Sequence, residues 1–125
     1  MICIDSSGWL ARLLDGPRAP GYNRVMDAVA PSEIVTSVVT VYEVYRKLRP
    51  VKGEAASLEA VVALRATRLV PVDDRIALEA ADYSLARGLP FSDALIYATA
   101  RQFGAELHTS DPDLKGVPGV VFHDR

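Results

Sequence analysis

Short apolar runs alternate along this chain with longer segments in which apolar residues recur every three or four positions. The runs "CID", "EIVTS", "RLVPV", "AELHT" and "VVFH" are rich in β-branched residues and bounded by turn or capping residues, so they predict strands. Several stay apolar with no polar alternate position, the pattern of a parallel sheet covered on both faces. Helices are predicted between them. Residues 7–14 take Ser6 or Ser7 as cap, and residues 20–30 follow a Pro/Gly loop. "SVVTVYEVYRKLR" starts at Ser37 and stops before Pro50, and 54–67 is rich in Ala, Leu and Glu. Residues 74–87 run from an Asp73 cap to Gly88, and 93–103 run from a Ser92 cap to Gly104. Strand and helix alternate in an order that implies an α/β fold: a three-layer α/β/α sandwich around a central, mainly parallel five-stranded sheet, with right-handed crossovers.

Composition narrows this picture without changing it. The 125 residues fit one domain, 1–125, with half of the chain hydrophobic and about a quarter charged. No apolar run approaches the ~20 residues of a membrane span. The opening "MICIDSSGWL" meets an aspartate at position 5 and lacks a basic leader, so no signal peptide is expected. A lone cysteine, Cys3, cannot form an internal disulfide and reads as a small buried hydrophobe. One Cys and two separated His residues argue against structural zinc. A soluble, cytoplasmic protein is expected. The formal charge of −2 argues weakly against strong non-specific nucleic-acid binding and leaves local clusters to decide.

The predicted topology sorts the sixteen acidic residues. In a parallel α/β sheet, strand ends and the starts of the following helices share the carboxyl edge, where sites form. Asp5 ends the first strand, Glu43 lies early in the helix after the second, Asp93 begins the helix feeding the fourth, and Asp111 follows "AELHT". These four fall at that edge, with Asp73, Asp74 and Asp113 as lesser candidates. Asp15, Glu33 and Glu106 fall at the opposite end, and most of the rest sit on helix bodies.

Carboxylates gathered at one spot repel one another, and their pKa values rise unless a cation joins them. Oxygen-only ligands select magnesium or manganese over zinc. Each acid also has an ordinary explanation. Asp111 precedes Pro112 and suits the cap of a short helix; Glu43 is four residues before Lys47; Asp5 suits a turn cap; Asp93 complements a helix dipole. Taken singly those explanations prevail for most of them; four at one edge favour a metal site.

The same residues resemble a known family. "IDSSGWL" resembles the opening motif of PIN-domain ribonucleases, with Asp5 as first acid and Ser7 as its accompanying serine. "TSVVTVYEV" is similar to the segment carrying that family's glutamate, at Glu43, and "FSDALIYATARQFGAELHTSDPDL" is similar to its closing signature, with Asp93, Thr109 and Asp111 in the matching places. With its small size the chain most resembles VapC toxins of type II toxin–antitoxin pairs. The resemblance implies a PIN-like fold and a Mg2+- or Mn2+-dependent endoribonuclease in which Asp5, Glu43, Asp93 and Asp111 are catalytic and bind metal directly or through water. Ser7 and Thr109 would orient carboxylates or water behind them. It also implies a metal-activated water that leaves a 3′-hydroxyl and a 5′-phosphate, a homodimer, and a VapB-type antitoxin whose C-terminal segment binds near the site.

Two residues depart from the family pattern. His108 stands where an aliphatic residue is usual, and a buried, hydrogen-bonded role is expected for it; Trp9 is expected in the core rather than as a stacking platform. "RKLRPVK" places Arg46, Lys47, Arg49 and Lys52 within seven residues. They suit a solvated surface or, the favoured reading, phosphate contacts for RNA beside the acids. The apolar residues of 54–67, among them Leu58 and Val62, exceed what a one-sided helix needs and suggest a partner-covered face or an ordinary core helix. Two other classes remain open. A phospho-accepting receiver-like domain would use an acid of "VPVDDR", but no lysine follows the fifth strand. A non-catalytic PIN-like interaction module would have no need of intact acids.

Overall fold

The computed structural model describes residues 1–124. The elements run β1 (Ile2–Ile4), α1 (Ser6–Leu13), α2 (Ala19–Asp27), β2 (Ile34–Ser37), α3 (Val38–Arg65), β3 (Arg68–Val70), α4 (Asp74–Arg87), α5 (Phe91–Gln102), β4 (Glu106–Thr109) and β5 (Val120–Phe122). Single 3-10 turns at Pro31–Glu33 and Pro112–Leu114 precede β2 and β5. The five strands form one sheet in the order β3-β2-β1-β4-β5, and every pair is parallel. The three-layer sandwich expected from the sequence is therefore present.

Neighbouring strand residues serve opposite layers, which explains the unbroken apolar runs. Cys3 and Val35 pack with Ile76, Ala80, Leu95 and Ile96 of α4 and α5, whereas Ile4 and Ile34 pack with Trp9, Tyr22, Met26, Val44 and Leu64 of α1, α2 and α3. Both faces of the sheet are thus sealed, as a parallel sheet requires. Trp9 is buried in that second cluster, so the core role expected for it holds. No helix among the described residues is long and apolar enough to cross a membrane.

Three boundaries differ from expectation. Neither Ser6 nor Ser7 caps α1; Asp5 does, accepting a hydrogen bond from the Gly8 backbone N–H at 3.2 Å. Neither does Ser92 cap α5. The helix opens at Phe91 with Pro90 in the cap position, because the Pro90 carbonyl already accepts from the Ala94 N–H at 2.9 Å, and Asp93 becomes the third helical residue. Finally, Pro50 does not end its helix. Both Pro50 and Arg46, whose carbonyl loses its partner, are exposed, so water can satisfy that carbonyl. The break comes instead at Gly53, where φ of 82° and ψ of 174° are open to glycine, and Ser57 Oγ bonds the Gly53 carbonyl at 2.6 Å as the helix resumes.

The strand order reverses direction between β1 and β4. The chain builds outward through β2 and β3, then returns to the other side of β1 with β4 and β5. Loops leaving β1 and β4 part at that point and open a crevice at the carboxyl edge, the position where open α/β sheets bind ligands.

Candidate functional site

The crevice is a cleft of about 650 Å³ lined by Asp5, Glu43, Asp93 and Asp111, the four acids singled out from the sequence. Ser7, Arg46 and Lys47 from the sequence reading also line it, as does Asp113. Asp5 comes from the end of β1, Glu43 from α3, Asp93 from the first turn of α5, and Asp111 and Asp113 from the turn after β4. Arg49 and Lys52 lie outside its lining, farther along α3; both are exposed, and Arg49 pairs with Glu54 at 3.3 Å. Asp73, one of the two acids open to the receiver-like alternative, caps α4 beside the edge strand β3, accepting from the Ile76 N–H at 2.8 Å.

Asp5 is 3 % exposed and is fixed from both sides of the strand reversal. One carboxylate oxygen accepts from the Ser7 hydroxyl and the Gly8 N–H, and the other accepts from the Thr109 hydroxyl of β4. Each donor hydroxyl is in turn committed. Thr109 Oγ1 accepts from the Asp111 N–H at 2.9 Å, and Ser7 Oγ accepts from the Ser110 N–H at 3.0 Å. Gly8 is required at its position: a Cβ there would lie 2.5 Å from the Tyr22 ring, which packs over this turn and bonds Ser110 Oγ at 2.7 Å. Burial raises the Asp5 pKa, the three hydrogen bonds lower it in part, and the charge of Asp111 raises it again.

Asp93 is treated differently. It is 8 % exposed, and its surroundings push its pKa up to about 8: burial contributes most, then the shared proton and charge of Asp111, then the charges of Asp5 and Glu43. Among the described residues, Asp93, Asp111 and Asp113 bring carboxylate oxygens within 4.8 Å of one another. Asp5 and Glu43 line the same cleft without joining that tighter cluster. The donor set is oxygen-only, partly buried and too anionic to remain fully ionised alone. Those properties fit a hard divalent cation of the magnesium or manganese kind.

The ordinary explanations hold in part. Asp111 does cap the turn Pro112–Leu114, accepting from the Asp113 N–H at 2.9 Å, and that turn carries Asp113 toward the cluster. Among the described residues, Glu43 and Lys47 make no ion pair, so the helix-pair explanation for Glu43 fails. His108 is buried, with Nδ1 2.8 Å from His123 Nε2, and the His123 ring stacks on Tyr22 with centroids 4.1 Å apart. The structural role expected for His108 stands.

Among the described residues, Arg18 is the one charged group of the cleft, and Tyr42 the one aromatic, that the sequence does not single out. Arg18 lines the cleft from the loop before α2, and its buried Nε has no hydrogen-bond partner among the described residues. A loop arginine follows no helical or strand period, so only its place in "DGPRAPG", close to the cleft's first acid, was available as a signal.

A model of the PIN domain matches residues 2–120 of this sequence. No curated protein matches it. Among solved structures, a toxin–antitoxin complex from Klebsiella pneumoniae is 25 % identical with a TM-score of 0.80, covering 97 % of this chain and 96 % of that one. VapC20 from Mycobacterium tuberculosis, a sarcin–ricin loop cleaving toxin, is 22 % identical with a TM-score of 0.78, covering 99 % and 100 %. VapBC2 from Rickettsia felis, bound to a DNA fragment from its promoter, is 16 % identical with a TM-score of 0.70, covering 99 % and 100 %. The last two share the fold.

The raised pKa of Asp93 sets a pH dependence. Between its ordinary value of 3.8 and about 8, the folded protein binds a proton that the unfolded chain has lost. Metal-free stability is therefore expected to fall as pH rises through that window. Asp93→Asn should flatten the fall, raise the melting temperature of the metal-free protein near neutrality, and blunt the rise that magnesium or manganese gives the parent by binding only the folded state. Melting curves across that window, with and without metal, check this; identical curves for variant and parent contradict it.

Proposed function

Since the chain belongs to the PIN-domain family, we propose that it is a Mg2+- or Mn2+-dependent endoribonuclease of the VapC toxin type, acting in the cytoplasm and neutralised by a VapB-type antitoxin. The observation that carries this reading is a single cleft in which Asp5, Glu43, Asp93 and Asp111 face the cations Arg18, Arg46 and Lys47. Acids alone would repel a phosphodiester, whereas cations on the same walls hold its backbone while the acids hold metal.

In this reading Asp5, Glu43, Asp93 and Asp111 bind one or two ions, directly or through water, with Asp113 beside them. A bound divalent ion supplies a water of lowered pKa and a positive charge beside the scissile phosphate. Ser7 and Thr109 keep the Asp5 carboxylate in a fixed orientation, the task that hydrogen bonds behind a ligand perform. Asp93, whose pKa is pushed up to about 8, would have to lose its proton to serve as a ligand. Arg46 and Lys47 place phosphates at the mouth of the cleft, and Arg49 and Lys52 extend that basic stretch along α3.

Two exposed apolar surfaces support the partners. A groove between α4 and α5 is lined by Val72, Leu85, Phe91 and Leu95, with Leu85 87 % and Phe91 83 % exposed; it is assigned to a second copy of the chain. On the second half of α3, Leu58 and Val62 are 49 % and 66 % exposed, and the antitoxin is assigned to this face. The toxin–antitoxin complex from Klebsiella pneumoniae supports the existence of such a partner.

Incubation of the purified protein with structured RNA and manganese is expected to give cleavage that EDTA abolishes. Asp93→Asn should lower its rate about 100-fold, since even the groups that support a metal ligand are worth about 10- to 100-fold and this change removes a ligand itself. Cleavage that survives EDTA, or equal cleavage by the variant, contradicts the reading. Leu85→Glu should halve the mass seen in sedimentation, and Val62→Glu should prevent rescue of growth by the co-expressed antitoxin. An unchanged mass, or unchanged rescue, moves the corresponding partner to another surface.

A further inference from the structure

Tyr42 is anomalous for its surroundings. It precedes Glu43, lines the acidic cleft, and is nevertheless 65 % exposed. Its hydroxyl and ring have no hydrogen-bond or ring partner among the described residues. An exposed ring at the rim of a polar cleft, bonded to none of them, offers a free face on which a ligand of the cleft can stack.

The neighbourhood says what kind of molecule fits. Tyr42, Tyr45, Arg46, Arg49 and Pro50 line a shallow groove of about 720 Å³ that adjoins the cleft through Tyr42 and Arg46. They follow one another at helical intervals, so they form one stripe along α3, about 12 Å long at 1.5 Å per residue. Arg46 has no ion-pair partner among the described residues, and neither does Lys47 beside it. The stripe interleaves aromatic faces with cations, of which Arg46 is unpaired and Arg49 shares its charge with exposed Glu54 at 3.3 Å. Continuous with a cleft suited to phosphodiester chemistry, it matches single-stranded nucleic acid: rings stack on bases and cations track the backbone. A duplex keeps its bases stacked on one another and offers Tyr42 no face.

We propose that Tyr42 is a positioning residue that stacks on one unpaired base next to the scissile phosphate, and that the stripe through Tyr45, Arg46 and Arg49 carries the adjoining single strand away from the cleft. This deepens the nuclease reading and rests on it for the choice of RNA as occupant. The platform restricts cutting to loops and unpaired segments. The stacking role considered for Trp9 thus passes to a residue on α3, since Trp9 is enclosed in the core.

The test is binding of a fluorescein-labelled, unpaired oligoribonucleotide by the full chain in an Asp93→Asn background with magnesium present. Adding Tyr42→Ala is expected to weaken the Kd about 5- to 150-fold, the range for loss of one base–aromatic stack. Tyr42→Phe and Tyr42→Trp should restore it. An oligonucleotide lacking the stacked base should bind equally well with and without the Tyr42→Ala change. Equal affinity of Tyr42→Ala for the intact RNA overturns the proposal. So does failure of Tyr42→Phe to restore binding, or a changed sedimentation mass with unchanged affinity, which would make Tyr42 a contact between protein chains. The assay needs no turnover, so its outcome is separate from whether the acids cut RNA.

Discussion

The structure depends on a crowding of negative charge at the reversal between β1 and β4. Asp5 is buried there because it ends the central strand, and it is tolerated because donors reach it from both strands: Ser7 and Gly8 on its own side, Thr109 across the gap. Those bonds offset part of the burial cost. Asp93 faces the same space from α5 with other acids as its nearest charged neighbours, and it retains a proton to about pH 8. The result is an asymmetric pair of environments. One carboxylate is orientated by hydrogen bonds; the other is held protonated by its surroundings.

Helix α3 supplies the counterweight. Glu43, Arg46 and Lys47 stand within little more than one turn, so a single helix contributes an acid to the floor of the cleft and cations to its wall. The break at Gly53 then redirects the helix. Before it, Tyr42, Arg46 and Arg49 are among the exposed side chains; after it, Leu58 and Val62 are. Cleft-lining side chains and an exposed apolar pair thus come from one element, on either side of its break.

Much of this was legible in the sequence because parallel α/β order ties strand ends and helix starts to one edge. That rule found Asp5, Glu43, Asp93 and Asp111 without knowledge of which strands are neighbours, and all four line the cleft. What escaped was local or irregular. The cap of α1 is ambiguous in the sequence because Asp5, Ser6 and Ser7 are all good capping residues in succession, and only the turn geometry selects Asp5. Pro50 looks like a stop in the sequence, yet its exposed position allows the helix to continue. Asp113 gained its closeness to Asp93 from a 3-10 turn too short to show a period, and Arg18 sits in a loop with none.

The central claim is that Asp93 trades a proton for a divalent cation. Calorimetric titration of manganese into the protein below pH 8, repeated in buffers of different ionisation enthalpy, measures that exchange directly. Release of about one proton per bound ion is expected, because ligands must lose their protons to bind metal, and Asp93→Asn should abolish that release. Manganese binding without proton release in the parent, or with the same release in the variant, would contradict the claim.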